Sequence, residues 1–146
     1  MYIEIVACPI PSCHGLHYDI IRHEPDRTFE GNANLVFKRI AEYRTEKHFK
    51  TDDIYCECLK RGLTPEDLIG HIRMFYPNGP NAQKKCMRKG TGTCLLQRMK
   101  EDLAKEEGKA LYVHPTTPYM QKFLIKHNFA ARAPFENQFY LYPSIA

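Results

Sequence analysis

No run of apolar residues approaches the roughly 18 that a transmembrane helix needs, and residues 1–15 lack the basic start and long apolar stretch of a secretory signal. These absences predict a cytosolic, cytoplasmic chain with no membrane partner. Hydrophobic residues at 43% and charged residues at 26% leave no composition for long disorder or a fibrous repeat, and 146 residues suffice for a single domain with its own core. Paired Cys-x2-Cys knuckles are also missing, although there are six cysteines. Without a secretory signal those thiols are expected to be reduced rather than bridged. Cys8, Cys13, Cys56 and Cys58, with His14 and His17 close to the first two, are a set from which a zinc-stabilised interaction protein could be built. Small thiols packed in or beside strands are the simpler expectation, and no metal is assigned.

The net charge of +4 is too small to imply nucleic acid by itself. A more telling absence is local, because residues 83–100 hold Lys84, Lys85, Arg88, Lys89, Arg98 and Lys100 and not one acid. Such a segment suits an anionic ligand. Inside it, Arg88-Lys89-Gly90-Thr91-Gly92-Thr93 stands directly before an amphipathic pattern. Two glycines one residue apart let the backbone turn tightly and aim successive N–H groups at one point, where a helix N-terminus adds partial positive charge. The Walker pattern Gly-x4-Gly-Lys-Ser/Thr is absent, as are the third glycine and downstream acid of a dinucleotide site.

From Gly92 onwards Leu95, Leu96, Met99 and Leu103 mark one helical face, while Gln97, Arg98, Lys100, Glu101, Asp102 and Lys105 are assigned to the remainder. Gly108 is expected to close that helix. Ala110-Leu111-Tyr112-Val113-His114 reads as a short strand broken by Pro115, and Pro118 opens another helix with Met120, Phe123 and Leu124 inward and Asn128 as its stop. Residues 2–7 read as a first strand and residues 139–142 as the last. Residues 64–76 carry two conflicting signals. Thr64-Pro65-Glu66-Asp67 has the form of a helix N-terminus, yet Leu68, Gly70, Ile72, Met74 and Tyr76 alternate with His71, Arg73 and Phe75 as a strand would. Pattern alone leaves the two open.

The segment Met87-Arg88-Lys89-Gly90-Thr91-Gly92-Thr93-Cys94-Leu95-Leu96 resembles the acetyl-CoA pyrophosphate loop of the GNAT superfamily of N-acetyltransferases, in which Gln/Arg-x-x-Gly-x-Gly/Ala precedes an apolar helix. Residues 109–114 are similar to that family's fifth strand. Residues 117–129 are similar to its next segment, Asn-x-x-Ala-x-x-Phe-Tyr-x-x-x-Gly-Phe, with Phe123 and Phe129 matching and Thr117, Met120, Leu124 and Asn128 departing. The resemblance implies an α/β fold with a mixed, mostly antiparallel sheet flanked by helices, in which residues 1–67 form the acceptor side and residues 68–146 the acetyl-CoA side. It also implies that residues 68–76 are a strand.

For function, the resemblance implies an acetyl-CoA-dependent N-acetyltransferase, in which an amine attacks the thioester directly. The donor would be held by Met87, Arg88, Lys89, Gly90, Thr91, Gly92, Thr93, Thr117 and Phe123, with the Lys84-Lys85 pair near the 3′-phosphate. The tyrosine that serves this family as acid is replaced by Leu124. His114, at a strand end, is then the candidate base, and Tyr119, in a first helical turn, the candidate acid. Partners expected are acetyl-CoA and an amine, with a homodimer left open. The competing expectation is a binding module for nucleic acid or CoA, its Tyr and Phe residues stacking on bases without need of tryptophan.

Overall fold

The computed structural model describes residues 3–23, 25–45, 49–77, 90–114, 118–131 and 140–142. Met87, Arg88, Lys89, Lys84, Lys85 and Thr117 lie outside the described residues. The strands are β1 (Ile3–Pro9), β2 (Gly15–Arg22), β3 (Thr28–Arg39), β4 (Leu68–Tyr76), β5 (Ala110–Val113), β6 (Ala130–Ala131) and β7 (Tyr140–Tyr142). The helices are α1 (Ile40–Thr45), α2 (Phe49–Lys60), α3 (Thr91–Lys105) and α4 (Pro118–Lys126). Neighbouring strands hydrogen-bond in the order β1-β2-β3-β4-β5-β7-β6. The chain forms two compact units, one of Met1–Val36 with Ile72–Asp102 and one of Phe37–His71 with Leu103–Ala146.

In the first unit β1 and β2 make an antiparallel hairpin closed by the Ile10 N–H on the Gly15 carbonyl at 3.0 Å. Strand β2 then pairs antiparallel with β3. The register slips between Ile20 and Ile21, where Glu30 of β3 is the extra residue, and both isoleucines are buried. Gly31 of β3 lies against β4 so closely that a Cβ there would sit 2.1 Å from the Tyr76 carbonyl oxygen. Along α3, Leu95, Leu96 and Met99 are buried as their spacing predicts. Asp102 departs from its assignment to the solvent side, because it too is buried.

In the second unit the conflict over residues 64–76 is resolved as a turn followed by a strand. The Thr64 N–H donates to the Asp67 carboxylate at 2.8 Å and the Asp67 N–H to the Thr64 carbonyl at 3.0 Å. This closed turn shares its side-chain chemistry with a helix cap, hence the ambiguity in the sequence. Its carbonyls serve a different helix: the α1 N–H groups of Ile40 and Ala41 donate to Asp67 and Pro65 at 2.9 Å each. The core of this unit gathers Ile40, Tyr43, Ile54, Cys58, Ile69, Ala110 and Tyr112. The Lys109 N–H donates to the Leu68 carbonyl at 2.8 Å, and three residues further along each strand His71 stacks on Tyr112. Equal offsets mean that β4 and β5 run parallel, whereas β7 is antiparallel to both β5 and β6.

Three helices end the same way. Leu63, Gly108 and Phe129 donate their N–H groups to Cys58, Leu103 and Leu124, while Gly62, Glu107 and Asn128 adopt positive φ of 84°, 58° and 69°. Asn128 thus stops α4 as expected. Gly108 does not take the left-handed position of α3, which falls to Glu107. At 108 a Cβ would lie 2.3 Å from Leu103 Cδ1, so any larger residue there requires the Leu103 side chain to shift.

Candidate functional site

The first unit presents a helix start with a glycine turn and no acid in its first turn. Gly90 has φ +90°, a conformation that costs an L side chain strain, and a Cβ there would meet nothing within 4 Å. The glycine is therefore needed for its backbone, and among the described residues the space around it is open. Its carbonyl accepts the Cys94 N–H at 2.9 Å, the first rung of the α3 ladder, so the N–H groups of Thr91, Gly92 and Thr93 precede that ladder at the positive end of the dipole. The first turn of α3 contains no acid, although helix starts ordinarily favour one. Thr91 is buried and Thr93 exposed, so Thr91 can offer a ligand only its backbone whereas Thr93 can add its hydroxyl. For the pyrophosphate group of acetyl-CoA these features fit, with small residues, N–H groups ahead of the helical ladder and no acid in the first turn.

The second unit carries a set of rings at the parallel β4–β5 pair. His71 lies flat on Tyr112, with ring centroids 4.2 Å apart and planes 8° from parallel. His114, immediately after β5, stands edge-on to both rings, 6.0 Å from each. Tyr43 meets Tyr112 edge-on from α1 at 5.5 Å, and the Lys38 ammonium lies 5.5 Å from the centre of the Tyr43 ring. Tyr43 and Tyr112 are buried, and Tyr112 packs against both imidazoles, whereas His71 and His114 are half-buried. Imidazole is the side chain that takes and releases protons near neutral pH, and here two share one aromatic support. His114 was a sequence candidate. His71 was not, because its partnership with Tyr112 arises from strand register, and its place in an alternating run of β4 gives no sign of it.

On α4, Tyr119 is 45% exposed in the first turn, free of the burial that would withhold a hydroxyl from solvent or substrate. Phe123 is half-buried, its ring 4.5 Å from that of His127. Leu124 is 0% exposed, so its side chain lines no open cleft. Of the four cysteines considered for metal, Cys8, Cys13 and Cys56 are exposed and Cys58 is buried. Burial pushes the Cys58 thiol up to about 12, against the thiolate form that zinc requires. Among the described residues no three His, Cys, Asp or Glu side chains gather to hold a metal ion, and no helix is long and apolar enough to cross a membrane.

No protein-family model matches the chain, and no curated protein matches it. Solved structures do. The chain is similar to AtaT complexed with acetyl-methionyl-tRNAfMet, with a TM-score of 0.58 and 10% identity over 89% of this chain and 71% of that one. It is similar to a mosquito arylalkylamine N-acetyltransferase like 5b, with a TM-score of 0.53 and 17% identity over 86% and 72% of the two chains. It is also similar to arylalkylamine N-acetyltransferase 2 from Aedes aegypti, with a TM-score of 0.54 and 11% identity over 88% and 73%.

Proposed function

From a chain with the fold of the GNAT acetyltransferases, we propose an acetyl-CoA-dependent N-acetyltransferase acting on an amine in a ternary complex. The observation that carries this reading is the Gly90 turn, with its positive φ, open surroundings and acid-free first turn of α3. Acetyl-CoA supplies an activated acetyl thioester. The N–H groups of residues 91–93 bind its phosphates, joined by Met87, Arg88 and Lys89, and Thr117 and Phe123 contact it from the second motif.

The acceptor amine must shed a proton before its nitrogen can attack the thioester carbonyl. His114 is the base that takes that proton, and His71, on the same Tyr112 support, packs edge-on against its imidazole. The C–N bond forms as the C–S bond breaks, and the departing thiolate is protonated by the exposed Tyr119 or by solvent. A thiol of pKa about 8.5 leaves readily, so a weakly placed acid still permits turnover. Overall one amine and one acetyl thioester become one amide and one thiol.

A second reading, a CoA-binding protein without transfer, is favoured by a single observation: the position of the family's acid tyrosine is a fully buried leucine, Leu124. Release of free CoA thiol from acetyl-CoA, followed over a panel of alkylamines, arylalkylamines and aminoacyl-tRNA, separates the two. Amine-dependent thiol release supports the enzyme. Binding of acetyl-CoA with no release for any acceptor supports the binding protein, and absence of binding refutes both.

A further inference from the structure

The apolar seam of α3 is interrupted at one position. Leu95, Leu96, Met99 and Leu103 bury themselves, and Asp102, seven residues after Leu95 and three after Met99, shares their face at 6% exposure. Its Oδ2 accepts a hydrogen bond from the Tyr18 hydroxyl at 2.8 Å and another from Arg98 Nε at 3.2 Å. Tyr18 belongs to β2 and is 0% exposed. Burial, reinforced by the Asp102 hydrogen bond, pushes the Tyr18 phenol far above its ordinary range, so it remains an O–H donor at any working pH.

Stability does not explain this arrangement. An acid in the last turns of a helix opposes the dipole, and a buried carboxylate is generally no better than an apolar side chain of similar volume. What a single polar residue in an apolar seam does supply is register. Contacts among leucines and methionines tolerate sliding and rotation, because burial is non-directional, whereas a short O–H···O bond is lost on a shift of about 1 Å. The helix that Asp102 locks is the one whose other end is the Gly90 turn. Eleven residues separate Asp102 from Thr91, about 16 Å along the axis, and a continuous helix transmits an axial shift undiminished over that length.

We propose that Tyr18 and Asp102 are positioning residues for donor binding: their hydrogen bond sets the axial register and rotation of α3, and with it the point at which the N–H groups of residues 91–93 converge. The proposal rests on the acetyl-CoA reading above and assigns part of the affinity for the phosphates to a buried pair that never touches them. Arg98 donates to the same carboxylate oxygen from within α3, so it restrains the Asp102 rotamer without itself tying the helix to β2.

The test compares two donors on the full chain: acetyl-CoA, and S-acetylpantetheine, which carries the thioester without the pyrophosphate. In Tyr18→Phe the dissociation constant for acetyl-CoA rises about tenfold, the scale of one hydrogen bond, and the ratio of the acetyl-CoA constant to the S-acetylpantetheine constant rises with it. The double variant Tyr18→Phe with Asp102→Leu removes both polar partners together. It recovers the native melting temperature while keeping the weakened acetyl-CoA affinity, since apolar packing replaces stability but not register. Equal weakening of both donors, native acetyl-CoA affinity in Tyr18→Phe, or recovery of affinity along with stability in the double variant each overturns the positioning role. Failure of the native chain to bind acetyl-CoA overturns the acetyltransferase reading and this proposal with it, an outcome distinct from the other three.

Discussion

Replacing Gly90 by aspartate places a negative charge where the phosphates are proposed to bind, and the structure allows its effect to be separated from simple misfolding. Gly90→Ala is the control. Its φ of +90° strains any L side chain, but a Cβ meets nothing within 4 Å, so alanine adds strain without a clash. That strain costs about 1–2 kcal/mol, or roughly 3–8 °C in melting temperature for a chain of this size. Gly90→Asp carries the same strain plus a carboxylate beside the first-turn N–H groups. A charge about 4 Å from a phosphate oxygen repels it by about 1 kcal/mol if fully solvated and about 4 kcal/mol at the effective dielectric of a protein surface. Even the lower half of that range, summed over the two charges of a pyrophosphate, weakens binding by about a hundredfold. At a concentration 100 times its native dissociation constant, acetyl-CoA stabilises the native chain by about 2.7 kcal/mol, and a hundredfold loss leaves only about 0.4 kcal/mol. Thermal unfolding with and without acetyl-CoA therefore shows a rise on the order of 10 °C for the native chain, a substantial rise from a lower baseline for Gly90→Ala, and about 2 °C for Gly90→Asp. An equal rise in the aspartate variant and the native chain refutes the phosphate assignment, whatever becomes of the baselines.

His114→Ala lowers the turnover of acetyl transfer by about a hundredfold or more while leaving acetyl-CoA affinity near native, because a base is lost and the phosphate contacts are kept; equal turnover under conditions where chemistry limits the rate returns His114 to a surface role. Leu124→Tyr and Leu124→Phe both destabilise by about 1–3 kcal/mol, since Leu124 is 0% exposed and the added ring overpacks a filled site, and neither accelerates transfer; acceleration by Tyr alone would show that position 124 faces the thioester. Gly31→Ala costs about 1–3 kcal/mol in urea unfolding, because its Cβ would lie 2.1 Å from the Tyr76 oxygen and 2.7 Å from Pro77, both backbone atoms that cannot swing aside; native stability in this variant would refute the close β3–β4 approach. The His17 imidazole titrates above its ordinary value of 6.5, chiefly through its hydrogen bond to Asn34 and also through Asp19, against some opposing desolvation. A raised folded value means stability that is complete below about pH 6.5 and lost as pH climbs through the folded value, so urea midpoints fall across that upper window in the native chain and are flatter in His17→Gln; identical pH profiles would refute the linkage.

Much of the fold is written in local patterns. The strand β5, the Pro118 start and Asn128 stop of α4, and the buried stripe of Leu95, Leu96, Met99 and Leu103 follow from periodicity and capping, which act within one or two turns and so can be read along the chain. The Gly90 turn belongs to the same class, because positive φ at a helix start is a demand on one residue. Residues 34–43, by contrast, carry Leu35, Phe37 and Ile40 at spacings that a helix or a strand could use, and the chain uses both, β3 passing directly into α1 at Ile40. The break falls there because the N–H groups of Ile40 and Ala41 find acceptors in a turn some 25 residues later, a partner no local window contains.

The residues on which chemistry depends divide in the same way. By itself the sequence determined that an acid-free glycine turn opens a helix, since glycine spacing and the exclusion of acids are properties of a contiguous segment. Only the tertiary structure decided that His71 lies on Tyr112 beside His114, because a parallel register between β4 and β5 sets that contact and periodicity carries no information about register. It also decided that Asp102 faces inward, where residue type had placed it in water: a charged side chain joins an apolar stripe only when a distant partner, here the Tyr18 hydroxyl 84 residues away in sequence, satisfies it.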